Sequence, residues 1–179
     1  MTVDQSLISW LVVAHRHGEE GMNEEEQPWE HVRSVLFVCS GNICRSPMAE
    51  ALFNRILETS KSPRAREIAV SSAGILGFTA GTPAAPLARR VMRHRGLSLD
   101  GFAARDLTPG VIRDADLILT ATKDQRDKIA AWVPTASRKT FTLCEEDVPD
   151  PLSCPVEIYE SVAQQIERCL EVWRRRLRL

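Results

Sequence analysis

The strongest constraint on this chain is the pair Cys39 and Arg45, with five residues between them, set between an apolar run and a Ser-Pro step. Val35-Leu36-Phe37-Val38 is short, aliphatic and aromatic, the pattern of a buried strand. Ser46-Pro47 opens a helical stretch to about Thr59, with serine suited to the N-cap and proline to the first helical position. Cys39-Ser40-Gly41-Asn42-Ile43-Cys44-Arg45 must therefore turn the chain from strand to helix. Such a loop lies at the carboxyl end of a strand, where open α/β sheets bind ligands.

The residue types in the loop suit an anion. Backbone N–H groups of a tight loop can converge on one oxyanion, and the following helix N-terminus adds partial positive charge. Gly41 is expected to supply backbone angles that other residues resist. Arg45 offers a planar, two-pronged donor to two phosphate oxygens. The same positive field favours the thiolate of Cys39, the reactive form. A thiolate attacking phosphorus gives a phosphocysteine that water hydrolyses, and the loop donors stabilise both steps. Cys-x5-Arg alone fits a buried core cysteine beside a solvated arginine. The preceding strand, Gly41 and Ser46-Pro47 together favour catalysis.

The rest of the chain supplies a scaffold for that loop. Ile68–Ala73, Asp116–Thr120 and Lys139–Leu143 read as strands, and Thr82–His94, Lys123–Trp132 and Val156–Leu177 as helices. Alternating strands and helices predict an α/β fold: three layers, a four-stranded parallel sheet with helices on both faces. Residues 1–33 read as an N-terminal extension before a catalytic domain over 34–179. It holds a possible helix from Ser6 to His15 and an acidic linker from His17 to Gln27, with Met22 as a second possible start.

Composition narrows the partners. Net charge is −1 over 179 residues, so no global basic field points to nucleic acid. The apolar run near the start is too short to span a bilayer, and it lacks a basic lead and a cleavage site. The chain is thus read as cytoplasmic, with no membrane partner. Five cysteines, without a CxxC pair or matching histidines, predict neither a metal site nor a cofactor. They fit a reducing compartment with working thiols better than a disulfide scaffold. Arg174, Arg175, Arg176 and Arg178 read as a solvated helix end. The oligomeric state is not legible.

Cleaving a phosphate ester requires a proton for the leaving oxygen. Asp150 in Val148-Pro149-Asp150-Pro151 is the candidate, because two prolines stiffen the loop that carries it. Alone, the motif is an ordinary turn; beside Cys-x5-Arg it reads as the general acid.

Taken together, Val35 to Cys39, Arg45-Ser46-Pro47-Met48-Ala49-Glu50, Ser72-Ala73-Gly74, Ala104-Arg105, Asp116 to Thr120 and Asp150-Pro151 resemble the low-molecular-weight protein-tyrosine phosphatases. The resemblance covers about residues 34–178 and keeps the family's order. It implies a phosphorylated protein as substrate, with Cys39 as nucleophile and Asp150 acting first as acid, then as base. It implies that Ser46 donates to the Cys39 thiolate, a role it can share with helix capping, and that Asn42 and Ser72 hold the loop's shape. The family often has a histidine in this network where Phe102 stands here, which puts the loop's rigidity in question. Cys44 is either a small buried residue or, as the resemblance implies, a thiol that traps oxidised Cys39 as a disulfide.

Three rivals share parts of the pattern. A thioredoxin-coupled arsenate reductase would need relay thiols; Cys144 and Cys154 are present but separated by nine residues. A non-catalytic phosphate-binding module would lack the nucleophile or the acid. A protein-arginine phosphatase differs at the loop, where threonine replaces Ile43. Isoleucine there resembles the phosphotyrosine branch, whereas Leu152 lacks the aromatic ring many of that branch place after Asp-Pro. Ile43 is the deciding residue, in favour of phosphotyrosine.

Overall fold

The computed structural model describes residues 29–179, of which His31–Leu179 form one compact unit. The helix expected from Ser6 to His15 and the acidic run to Gln27 lie outside the described residues.

Four strands form one parallel sheet: β1 (Ser34–Cys39), β2 (Ala69–Gly74), β3 (Leu117–Thr120) and β4 (Thr140–Thr142). Their order is β2-β1-β3-β4, and β1 pairs in parallel with both β2 and β3. The chain therefore leaves β1 toward one side and later returns to the other. The end of β1, at Cys39, is the switch point where such sheets open a crevice.

Alternation along β1 divides the core. Leu36 and Val38 face a cluster with Ile112, Ile118, Ile129 and Ala136. On the other face, Phe37 meets Phe53 edge to face at 5.6 Å between ring centres. Phe53 belongs to α1 (Arg45–Thr59), which packs with the sheet and with α5 (Val156–Arg176). On the Leu36 side lie α3 (Pro109–Asp114), which carries Ile112, and α4 (Lys123–Trp132), which carries Ile129. Layers on both faces of the sheet are thus as expected.

Several boundaries shift for local reasons. The helix expected from Thr82 starts later, as α2 (Pro86–His94). Thr82 and Ala85 each precede a proline, which disfavours helical angles. They pair outward instead: Thr82 O accepts from Ala104 N at 2.8 Å, and Ala85 N donates to Ile43 O at 2.8 Å. Asp116 is not in β3; its Oδ2 accepts from the Arg33 and Ser34 N–H groups at 2.8 and 2.9 Å and caps the start of β1. The short helix α3 was not expected, although Thr108-Pro109 carries its signal: Thr108 Oγ1 accepts from Val111 N, and Pro109 fills the first position.

The expectation that thiols rather than disulfides dominate needs one correction. Cys144 and Cys169 are bonded, tying the chain just after β4 to α5. Trp173 Nε1 reinforces the tie, donating to Leu143 O at 2.9 Å. Two cysteines far apart in sequence give no linear sign of such proximity. Cys39, Cys44 and Cys154 remain free. At the end of α5, Arg174 and Arg175 pair with Glu171 on the preceding turn.

Candidate active site

The loop from Ser40 to Cys44 is shaped by its outer contacts. Cys39 O, Ser40 O and Ile43 O accept from Ile75 N, Leu76 N and Ala85 N, at 3.1, 2.9 and 2.8 Å. The chain after β2 thereby grips one side of the loop. Gly74 permits the approach: a Cβ there would come within 2.9 Å of Asn42 N, Gly41 C and Ser40 O. The expected freedom of Gly41 is not what turns the loop. Gly41 is outside the left-handed region, and Asn42 takes that conformation, with φ 52°. A Cβ at Gly41 would stand 3.4 Å from the Thr79 methyl, an ordinary contact, so the tight approach in this loop is made at Gly74.

Asn42 can hold this conformation because its amide is fully engaged. It is fully buried, its Oδ1 accepts from Arg105 N at 2.9 Å, and its Nδ2 donates to Ser46 Oγ and Ser72 Oγ, both at 2.8 Å. Ser46 Oγ lies 3.0 Å from Cys39 Sγ. While accepting from Asn42, the Ser46 hydroxyl can point its proton at the sulfur, and a thiolate there can only accept. The Asn42 backbone N–H donates to Cys39 Sγ at 3.2 Å. Ser46 is not the helix cap: Cys44 holds that position and has no side-chain capping bond. Arg45, Ser46 and Pro47 form the first turn of α1, a place where proline also causes no loss of a helical bond. Ser46 is thus left for the sulfur.

Arg45 is 4% exposed and spans the loop to the acid segment. Its Nη1 donates to Val148 O at 3.1 Å, and its Nη2 donates to Ser40 Oγ at 3.0 Å and to Asp150 Oδ2. Its buried Nε has no partner among the described residues. Asp150 is therefore beside the loop, on a segment held by Val148 N donating to Ala121 O at 2.8 Å. Asp150 Oδ1 accepts from Leu152 N at 3.2 Å, the local turn expected of Asp-Pro. Cys39, Ser40, Gly41, Asn42, Ile43, Cys44, Arg45, Ser46, Ser72 and Asp150 thus meet at one place.

Three residues in contact with the site were missed. Gln125, in α4, donates from Nε2 to Ser40 Oγ at 3.1 Å while its Oε1 accepts from Thr122 N in a capping box. Glu50 Oε2 accepts from Ser72 Oγ at 2.5 Å. Tyr159, in α5, sets its hydroxyl 3.5 Å from Cys44 Sγ. Phe78 is 78% exposed, next to the Thr79 that packs on Gly41. Only Glu50 had a local sign, three places after Pro47 in the quoted motif; Gln125 and Tyr159 reach the loop from distant elements.

Charge follows burial. Burial pushes the Cys44 thiol up to about 11, against a lowering hydrogen bond from Tyr159, with Asp150 and Cys39 adding to the rise. Burial likewise raises Tyr159 and Glu50, the latter against the Ser72 hydroxyl and the Arg105 charge. Of the relay thiols an arsenate reductase would use, Cys144 is bonded to Cys169 and Cys154 is free.

Comparison with known proteins agrees with this geometry. The family model for low molecular weight phosphotyrosine protein phosphatase matches residues 34–178. A probable low molecular weight protein-tyrosine-phosphatase, EpsP of Ralstonia nicotianae, is 35% identical over 150 residues, 82% of this chain and 97% of that one. The protein-arginine-phosphatase of Geobacillus stearothermophilus is 33% identical over 143 residues, 76% of this chain and 90% of that one. The solved structure of Vibrio vulnificus Wzb in complex with benzylphosphonate superposes with a TM-score of 0.74 at 27% identity, covering 82% of this chain and 99% of that one. The chain belongs to the low molecular weight phosphotyrosine protein phosphatase family.

Proposed function

We propose that this protein hydrolyses phosphotyrosine in proteins through a phosphocysteine intermediate, within a catalytic domain over residues 34–179. The observation that carries the reading is Cys39 Sγ, which receives the Asn42 N–H and faces Ser46 Oγ inside a loop spanned by Arg45.

In the first step the Cys39 thiolate attacks phosphorus and the phosphorus–oxygen ester bond breaks. Asp150, as carboxylic acid, gives its proton to the leaving phenolate oxygen. An arriving phosphoryl group competes with Asp150 for Arg45 Nη2, which frees the acid to turn toward the leaving group. The unpartnered Arg45 Nε adds a second donor for a phosphate oxygen. In the second step the Asp150 carboxylate takes a proton from water, which attacks phosphorus. The phosphorus–sulfur bond breaks, and the Ser46 hydroxyl receives the departing thiolate. Ser40, Gly41, Ile43 and Cys44 complete the loop, and Asn42 and Ser72 hold its shape. Phe78 and Leu152, both exposed, offer apolar walls to an aryl ring. The reaction takes place in the cytoplasm.

A second reading is a protein-arginine phosphatase, favoured by Leu152 in place of an aromatic residue and by the 33% identical relative. Ile43 weighs against it. A branched apolar side chain crowds a guanidinium and its attacking water, whereas a threonine hydroxyl can orient that water. The test is kcat/KM on matched phosphotyrosine and phosphoarginine peptides, for the native protein and Ile43→Thr. The expected result is a native preference for phosphotyrosine that moves toward phosphoarginine on substitution. Native preference for phosphoarginine would overturn the substrate assignment.

A further inference from the structure

Behind Cys39 runs a chain of hydrogen bonds whose direction is set once Cys39 is the thiolate. Arg105 N–H occupies Asn42 Oδ1, so Asn42 Nδ2 must be the donor to both Ser46 and Ser72. Ser72 Oγ, having accepted from Asn42, has one proton left, and Glu50 Oε2 lies 2.5 Å away to accept it. Ser46 Oγ has likewise accepted from Asn42, and when Cys39 is the thiolate, which can only accept, the Ser46 proton is the one between them. The fixed amide and the acceptor at the far end set the Asn42 and Ser72 bonds, and a thiolate at Cys39 sets the last one. Phe102, across the same groove from Glu50, has no polar side-chain atom to serve as that acceptor.

We propose that Glu50 is a positioning residue of the reaction: its carboxylate takes the Ser72 hydroxyl proton, holds Asn42 through Ser72, and so keeps the Ser46 proton aimed at Cys39. The inference rests on the phosphatase reading above and extends it to the residue that sets the network's polarity. Glu50 can do this only as an acceptor. The charged groups around it are Arg105 from beyond β2, Arg55 and Glu58 on its own helix, and Asp100 across the groove. Without it, Ser72 keeps a buried hydroxyl proton with no acceptor, which then competes with Asn42 for the same space. The Ser46 proton matters most when thiolate departs from phosphorus. The loss should therefore appear in turnover rather than in phosphate binding, which the loop N–H groups and Arg45 supply.

The experiment compares native protein, Glu50→Ala and Glu50→Gln on p-nitrophenyl phosphate, with inorganic phosphate as competitive inhibitor and folding checked by circular dichroism. Glu50→Ala is expected to lower kcat about tenfold while the phosphate inhibition constant stays within about twofold. Glu50→Gln keeps an acceptor oxygen and is expected to recover most of the loss. In a Ser72→Ala background, Glu50→Ala should add little, because the two act in series. The inference is overturned by a Glu50→Ala variant with native kcat, by failure of glutamine to recover turnover, by phosphate inhibition weakening in step with kcat, or by undiminished loss in the Ser72→Ala background. An inactive native protein would overturn the phosphatase reading itself; an active native protein with an unaffected Glu50→Ala variant would overturn this inference alone.

Discussion

At the scale of single residues, Asp150 and Cys44 differ in how their surroundings prepare them. Asp150 is a half-exposed carboxyl whose Oδ2 meets Arg45, so its place beside the loop comes from an ion pair open to solvent. Asp150→Ala should lower kcat by on the order of 10²–10⁴ for poor leaving groups and much less for activated aryl phosphates. Equal losses across a leaving-group series would contradict the acid role. Cys44, pushed up to about 11 by burial, is a neutral thiol near pH 7. Peroxide should inactivate the enzyme reversibly through a Cys39–Cys44 disulfide, and Cys44→Ser should make the damage harder to reverse. Because trapping needs the Cys44 thiolate, disulfide formation should accelerate as pH rises toward 11; mass spectrometry showing no such linkage would remove the idea. Sequence reading reached these two residues because each lies in a local motif. Gln125 and Tyr159 were out of its reach because their contacts with Ser40 and Cys44 span 85 and 115 positions and depend on how α4 and α5 pack.

At the scale of elements, the strand–loop–helix unit was legible because its signals are local: an apolar run, then a proline tolerated in a first helical turn. What misled was which first-turn position the proline takes. Pro47 is third in α1 rather than first, and that shift moves Ser46 from capping to the sulfur of Cys39. The start of α2 was misplaced for a different reason: Pro83 and Pro86 restrict Thr82 and Ala85, so the helix begins only at Pro86. On α1, Glu50 gives a test of stability. Burial raises its carboxyl above the ordinary 4.5. A raised carboxyl contributes stability that is fully present below 4.5 and is lost as pH rises through the higher folded value. Glu50→Gln does not ionise, so its melting temperature relative to the native protein should rise between about pH 4 and neutral pH. A difference independent of pH would show that Glu50 ionises as easily in the fold as outside it.

At the scale of the whole molecule, the sheet order puts Cys39 where connections diverge, and the segments after β2 and β4 close around it from opposite sides. Charge and hydropathy are ordinary, and among the described residues no helix is long and apolar enough to cross a membrane. The fold class was legible from alternation of strand and helix; the Cys144–Cys169 bond was not, since only packing of α5 brings the two sulfurs together. Val32 is buried and Arg33 N–H donates to Asp116, so a cut meant to spare the fold belongs before Trp29. Removal of residues 1–28 should leave kcat within about twofold of native, because every residue assigned to the site lies from Cys39 onward. A folded truncation with much reduced activity would show that the removed segment serves the site. The account as a whole depends on the sulfur of Cys39. The most direct measurement is turnover of p-nitrophenyl phosphate by Cys39→Ser, alongside vanadate binding to the same variant. Serine keeps the loop and its donors but forms no comparable anion at neutral pH, so turnover should vanish while vanadate still binds; substantial turnover by Cys39→Ser would contradict the account.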